Sequence, residues 1–304
     1  MEFRQLQYIM AVAKYRNVTK AADSLYISQS ALSHYIKNAE DELGVRLFDR
    51  STNPISLTKA GECYMESARR ILIENERLTN ELRDLTNHMS GKLTVGTSND
   101  RCSYMIPKLL PAFYEKYPNI SIDVVIGGGQ ILSEKLKTGE IDIMILPTSY
   151  QDHDPAFVYE KMYAEELLFV ARKGAVDEKD VTGRSIKPKA IEKYPLFIQN
   201  QGHINRDCVD RFFRTHRVKP MIKQEFNSNI SCFRMAATGA GATIVPFMTT
   251  QLAYPGQPVD LFSIGTMWDV SIIYRKDYYL GIPEQELIKI GRDIFSKELI
   301  SPEH

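Results

Sequence analysis

The stretch from Asn17 to Arg50 constrains the fold of this 304-residue chain more than any other. Asn17 is a good N-cap, and Ala21, Ala22 and Leu25 give a small-residue inner face on which a second helix can lie close. Tyr26 and Ile27 make a turn. Ser28 then caps a second helix running to about Leu43, and Gly44 stops it. Leu32, Ile36, Ala39 and Leu43 recur at helical spacing on one face of that helix, with Ser30, Ser33, His34, Lys37 and Asp41 opposite. Two short helices at a sharp angle, the second opening its outward face with small hydrogen-bonding side chains, describe a helix-turn-helix that can present that face to a duplex groove.

The flanking segments complete a small domain. A helix from Phe3 to Tyr15 turns Phe3, Leu6, Tyr8, Ile9 and Val12 toward a core. After the reader helix, Arg46 to Arg50 and Ile55 to Leu57 read as short strands around a Ser51-Thr52-Asn53-Pro54 turn. Thr58 can cap the helix that follows, from Lys59 to about Met89. Along it Tyr64, Ala68, Ile71, Asn75, Leu78, Leu82, Leu85 and Met89 recur at alternating intervals of four and three residues. That 3.5-residue seam is what one long helix needs to pair with another, and Asn75 is the kind of polar residue that fixes register. The competing reading is a long helix packed on its own domain, but little nearby could cover it. A dimer would hold two readers at a fixed separation on successive turns of DNA.

Beyond Gly91 the chain changes character. Short apolar strands are expected at Leu93–Ser98, Ile120–Gly127, Ile141–Thr148, Leu167–Arg172, Pro195–Asn200, Ala242–Pro246 and Val270–Arg275. Helices are expected at Tyr104–Tyr117, Ile131–Thr138, Arg206–His216, Ile230–Gly239 and Glu284–Glu298. This alternation implies parallel sheets with helices on both faces.

Composition excludes more than it assigns. Apolar content of 43% and charged content of 25% suit an ordinary globular protein of two or three domains. No apolar run approaches a membrane span, and the N-terminus carries Glu2 and Arg4 rather than a cleavable signal pattern, so the cytoplasm is the expected compartment. Lys plus Arg equals Asp plus Glu at 38 each, and residues 1–58 hold seven basic and six acidic side chains, a difference of +1. Net charge alone would not suggest nucleic acid. Glu40, Asp41 and Glu42 cluster late on the reader helix, while Lys20, His34, Lys37 and Arg50 lie nearer its polar side. Cys63, Cys102, Cys208 and Cys232 are far apart, and the six histidines have no metal-ligand spacing, so neither zinc nor a disulfide framework is expected. No GxSxG, HExxH or Gly-Lys-Ser/Thr signature is present, and neither enzymatic chemistry nor a cofactor is expected.

The residues that carry a family resemblance are Ala21-Ala22, Ser28-Gln29, Ser33, Gly44 with Leu47-Phe48-Asp49-Arg50, and Leu57-Thr58-Lys59-Ala60-Gly61. In this order the first sixty or so residues resemble the LysR-type transcriptional regulators, with Ser30, Ala39 and Asn53 departing from the usual Pro, Leu and wing Arg. The resemblance implies an α+β multi-domain protein. Residues 1–58 would form a winged helix-turn-helix and 59–90 a coiled-coil dimerisation helix. Residues 91–304 would form a two-lobed α/β regulatory domain resembling periplasmic binding proteins, lobe one about 92–163 and 266–304 and lobe two about 164–265. It also implies a homodimer or homotetramer on double-stranded operator DNA, a small-molecule effector between the lobes, RNA polymerase as a further partner, and no membrane.

On that reading Gln29, Ser30, Ser33 and His34 face base edges, Thr19, Lys37 and Arg50 position phosphates, and Lys20 and Ser28 border the same surface. The effector candidates begin with Thr97, Ser98 and Asn99, the loop that commonly touches effector in the family. Gly128, Gly129 and Gln130 follow the second strand. Pro147 and Thr148 end the third, and Gln199 and Asn200 end a strand of lobe two. Their hydroxyls, amides and free backbone N–H groups suit a small polar molecule, an anion included. Two rival readings stay open here: a two-lobed solute-binding module or enzyme, and a regulator that senses oxidation at Cys208, near a Gly202-His203 pair, or at Cys232.

Overall fold

Capping chemistry delimits the first elements of the computed structural model, which describes residues 3–86, 90–148, 153–252 and 256–298. The chain divides into two compact units, Met1–Asn80 and Glu81–His304. In the first, α1 (Phe3–Tyr15) precedes α2 (Val18–Ser24), where the Asn17 side chain accepts from Lys20 N. The reader helix, α3 (Gln29–Leu43), opens with the Ser28 hydroxyl accepting from Ala31 N. It closes at Gly44, whose φ of 68° is a conformation that favours glycine. Leu6, Ile9, Val12, Ala21, Ala22, Leu32, Ile36 and Ala39 fill the core. The fully buried Ala21–Ala22 pair sits where α2 meets its neighbours, so the expected inner face is the observed one. Leu43, expected on that face, is 44% exposed as the last residue of the helix, next to its Gly44 cap.

The wing is shorter than its sequence suggests. β1 (Phe48–Asp49) and β2 (Ser56–Leu57) pair antiparallel, Phe48 opposite Leu57. Thr58 joins wing to next helix: its hydroxyl donates to Arg46 O (2.6 Å) and accepts from Gly61 N (3.1 Å). Gly61 lies so close to the wing backbone that a Cβ there would sit 2.1 Å from Leu47 O. This packing explains why the Leu-Thr-x-x-Gly spacing ends in glycine. α4 runs Lys59–Leu85; Met89, the last expected seam residue, lies outside the described residues.

The second unit is built on one continuous sheet. Its strands are β3 (Gly91–Thr97), β4 (Ile120–Ile126), β5 (Ile143–Thr148), β6 (Phe157–Arg172), β7 (Val181–Thr182), β8 (Ser185–Ile186), β9 (Pro195–Gln199), β10 (Met221–Phe226), β11 (Ala242–Pro246) and β12 (Val259–Arg275). The main order is β10-β9-β11-β6-β12-β5-β3-β4. β3, β4 and β5 pair parallel, as do β9, β10 and β11, but β6 and β12 run antiparallel to each other through the middle. The expectation of parallel sheets therefore holds for the outer strands of each lobe, whereas β6 and β12 also pair antiparallel with β11 and β5 inside the lobes. Strands expected at Leu167–Arg172 and Val270–Arg275 are the ends of β6 and β12. Their upstream halves carry Glu160, Glu165, Glu166 and Asp269, which mask the apolar pattern until buried partners are seen.

Helices flank this sheet: α5 (Asn99–Lys116), α6 (Gly129–Lys137), α7 (Ile204–Thr215), α8 (Asn229–Ala237), α9 (Phe247–Leu252) and α10 (Ile282–Glu298). α5, α6, α7 and α8 each begin just past the carboxyl end of the parallel strand before them, β3, β4, β9 and β10. One core runs from Leu93, Leu109 and Phe113 through Leu167 and Phe169 to Phe197, Phe233 and Val245. Where α4 enters this unit, Arg83 donates to both Glu284 oxygens (2.9 and 3.0 Å), and Asp84 accepts from Tyr279 and Ile282. Among the described residues no helix is long and apolar enough to cross a membrane.

Candidate functional site

The polar face of α3 is organised before any partner arrives. Gln29 Nε2 donates to Ser33 Oγ (2.9 Å), the Ser28 and Ser30 hydroxyls lie 3.1 Å apart, and Asn38 contacts His34 Nε2 at 3.2 Å. Gln29, Ser30, His34 and Lys37 are exposed and Ser33 half-buried; Thr19 and Lys20 are exposed on α2. Arg50 in the wing reaches Glu40 at 3.4 Å. Sequence reasoning assigned Glu40 only to an acidic cluster. Its Oε1 in fact accepts the backbone N–H groups of Leu47 (2.7 Å) and Phe48 (3.1 Å), pinning the wing to the reader helix. Tyr26, expected in the turn, lies there. It stands 96% exposed at φ 55°, a strained conformation for a bulky residue, directly before the reader helix.

The lower end of α4 belongs to this unit's surface. Tyr64 is half-buried and Ala68 buried in the head. Farther along, Ile71 is 37% exposed, Leu78 53% and Leu82 50%, with Asn75 exposed between them.

Within the second unit a cavity of about 270 Å³ opens between the lobes, near the lower end of the ~300–1,000 Å³ range of small-molecule sites. Ser98, Asn99, Gly128, Gly129, Pro147 and Gln199 line it, all expected from sequence. A neighbouring cavity of about 300 Å³ shares Gly129 and Pro147 and adds Gln130 and Thr148. Thr97 and Asn200 line neither: Thr97 is buried with its hydroxyl on Ile145 O (3.0 Å), and the Asn200 amide donates to Asn227 Oδ1 (2.8 Å). The first cavity also takes Asp100, Arg101, His203, Asn205, Ser228 and Trp268, none of them foreseen as effector residues. Two signals pointed there, the continuation of the Thr97–Asn99 loop into Asp100-Arg101 and the single tryptophan of the chain. The Asn227–Asn229 loop had none, because the strand before it was not recognised.

The floor of the cavity is a buried charge network. Glu165, fully enclosed on β6, accepts from Arg101 (2.9 Å), from the Trp268 indole N–H (2.9 Å) and from Met248 N (2.7 Å). Arg101 donates again to the Tyr163 hydroxyl at 2.7 Å. Its charge is thus neutralised from below. Asp100, nine-tenths buried, faces the Asn229 N–H and the Ser228 hydroxyl at the start of α8; burial pushes its carboxyl pKa up, and those donors with Arg101 and His203 pull it back. The N-caps of α5, α6 and α7, namely Ser98, Gly128 and His203, make no side-chain cap.

None of the four cysteines forms a disulfide; Cys208 lies beside the second cavity and Cys232 is buried, its thiol pushed up to about 12 by that burial, which disfavours a reactive thiolate. Among the described residues no cluster of His, Cys, Asp or Glu is placed to hold a metal ion.

Comparison with known proteins agrees with both halves. Residues 3–62 match the family described as bacterial regulatory helix-turn-helix protein, lysR family, and residues 86–294 match the LysR substrate binding domain. The chain is 30% identical over 247 residues to the uncharacterized HTH-type transcriptional regulator YybE of Bacillus subtilis (strain 168), covering 81% of this chain and 82% of that one. A full-length OxyR variant from Pseudomonas aeruginosa superposes with a TM-score of 0.73 at 24% identity, over 96% of this chain and 94% of that one. Full-length CbnR complexed with its target DNA superposes at 0.62 with 25% identity, over 96% of this chain and 99% of that one. With a matching head, a matching regulatory domain and full-length relatives of the same organisation, the chain belongs to the LysR family of transcriptional regulators, and is not an enzyme.

Proposed function

We propose that the protein binds operator DNA as a homodimer through α3 and its wing, and that a small molecule held between the lobes of residues 91–304 sets its activity. The observation that carries this reading is the exposed, pre-bonded polar N-terminal half of α3. A helix-turn-helix docks this part of its second helix against base edges. That CbnR is seen on its target DNA supports it. Gln29, Ser30, Ser33 and His34 read bases; Thr19, Lys20, Ser28, Lys37 and Arg50 contact or border the phosphates. The exposed edges of Ile71, Leu78 and Leu82, which a second copy would bury, support the dimer, and pairing there would place two readers on successive turns.

Effector entry between the lobes would change how β6 and β12 present them. The N-terminal ends of four helices and a cavity of metabolite size are what support this. RNA polymerase contact, pairing of dimers into tetramers and the boundaries 1–58, 59–90 and 91–304 belong to the same proposal.

The test is a gel-shift titration with an operator selected from random duplexes by the purified protein. Gln29→Ala is expected to lose about 1–3 kcal/mol of discrimination against non-specific DNA. Ser33→Arg is expected to abolish the specific complex, with oligomeric state unchanged for both. Unaltered specificity in both variants would remove α3 as the reader.

A further inference from the structure

Resting on the reading of the inter-lobe cavity as the effector site, we propose that its ligand is a small zwitterion of the amino-acid class. The ammonium would sit on Asp100 beside Asn205, and the carboxylate on the uncapped N-termini of α5 and α6.

Charge bookkeeping in the cavity weighs against a simple anion. The titratable groups on its wall are Asp100, Arg101 and His203. Arg101 is already paired with Glu165 at 2.9 Å and with the Tyr163 hydroxyl, so it offers no free cation to a simple carboxylate. The carboxylate on the wall is Asp100, met by the Asn229 N–H and the Ser228 hydroxyl, with Arg101 and His203 near it. A purely anionic ligand would have to lie near that carboxylate, where like charges repel.

A second, independent feature asks for a donor. Asn205 is 4% exposed and lines the cavity, and its Oδ1 has no hydrogen-bond partner. Its orientation is fixed, because Nδ2 already donates to Asn229 Oδ1 (2.8 Å) and to Ile244 O (3.2 Å). Buried acceptors left unsatisfied are rare enough to need a reason, and a ligand donor supplies one. Asp100 and Asn205 flank the same residue, Asn229, so one ammonium with three N–H bonds can address both sides of it.

The opposite pole is made by backbone. Ser98 and Gly128 provide no side-chain cap, so the first N–H groups of α5, an 18-residue helix, and α6, a nine-residue helix, remain available to a carboxylate. α8 differs: Ser228 caps it through Ile230 N, and Asp100 covers its end. Leu146, Pro147, Ile204 and Met248 leave an apolar wall for the side chain of the ligand.

The experiment is calorimetric titration of the full-length protein with the standard amino acids, each compared with its des-amino carboxylate and its decarboxylated amine. At least one amino acid should bind, with both truncated analogues weaker by about tenfold or more, the loss expected for a charged hydrogen bond. Asp100→Asn should weaken the same ligand to a similar degree with its circular dichroism unchanged. If that variant fails to fold, the analogue comparison on the wild type decides alone. Binding of no amino acid, or equal binding of a des-amino analogue, overturns the proposal. A des-amino carboxylate that binds wild type and is lost in Ser98→Trp would keep the cavity as the effector site while removing the amino-acid assignment. Should a compound that binds the wild type bind Ser98→Trp equally well, both fall.

Discussion

Glu165→Ala destabilises the Glu81–His304 unit by about 3–5 kcal/mol, the cost of leaving a buried charge without its partner. Glu165 is fully enclosed and Arg101 is 2% exposed, so no water replaces the carboxylate when it is removed. Three donors lose their acceptor together: Arg101 from α5, Trp268 from β12 and the Met248 N–H that opens α9. These elements meet where β6 and β12 pass between the lobes, with Trp268 directly opposite Glu165 in the sheet. Glu165→Gln keeps an acceptor but not the charge, and should fall between wild type and alanine. Denaturant midpoints with an unchanged slope measure the difference. An alanine variant within about 0.5 kcal/mol of wild type would mean that the network contributes nothing to stability.

The second large effect lies on the stalk. Leu78→Lys combined with Leu82→Lys is expected to yield a monomer and to weaken operator binding by about 10²–10⁴-fold, the advantage that linking two sites confers. Both leucines are half exposed in the single chain, so lysine there costs the isolated fold little. In a paired seam the same substitutions bury two ammonium groups face to face with their copies. Sedimentation velocity reports the oligomeric state and gel shift the affinity. A doubly substituted protein that stays dimeric would place the self-association surface elsewhere. A monomer with undiminished affinity would detach dimerisation from DNA binding.

What could be read from the sequence was local chemistry. Asn17, Ser28, Gly44 and Thr58 each declare a helix end through their own side chain or backbone, and the helix limits in the head follow within a residue or two. Periodicity located the apolar strands β9 and β11 almost to the residue. It missed β10, a sheet-edge strand with Met221 to Glu225 exposed, where no buried face imposes a pattern. It also truncated β6 and β12, whose carboxylates find buried donors only after the chain has folded. The cavity was legible to the same degree. Ser98, Asn99, Gly128 and Gly129 follow recognisable strands. Asp100, Asn205 and Ser228 come together from three helix starts more than a hundred residues apart in sum, and no short-range signal links them. Glu40 shows the same limit in miniature, since its role depends on two backbone N–H groups brought to it by the wing.

The most direct test of DNA reading by a paired α3 is to select duplexes from a random pool with the purified full-length protein and sequence them at two salt concentrations. The expected result is an enriched motif with dyad symmetry, its half-sites about 10 base pairs or a multiple apart, and an affinity that falls steeply as salt rises. Recovery of unenriched sequence, or of a single half-site bound with no dependence on salt, would contradict it.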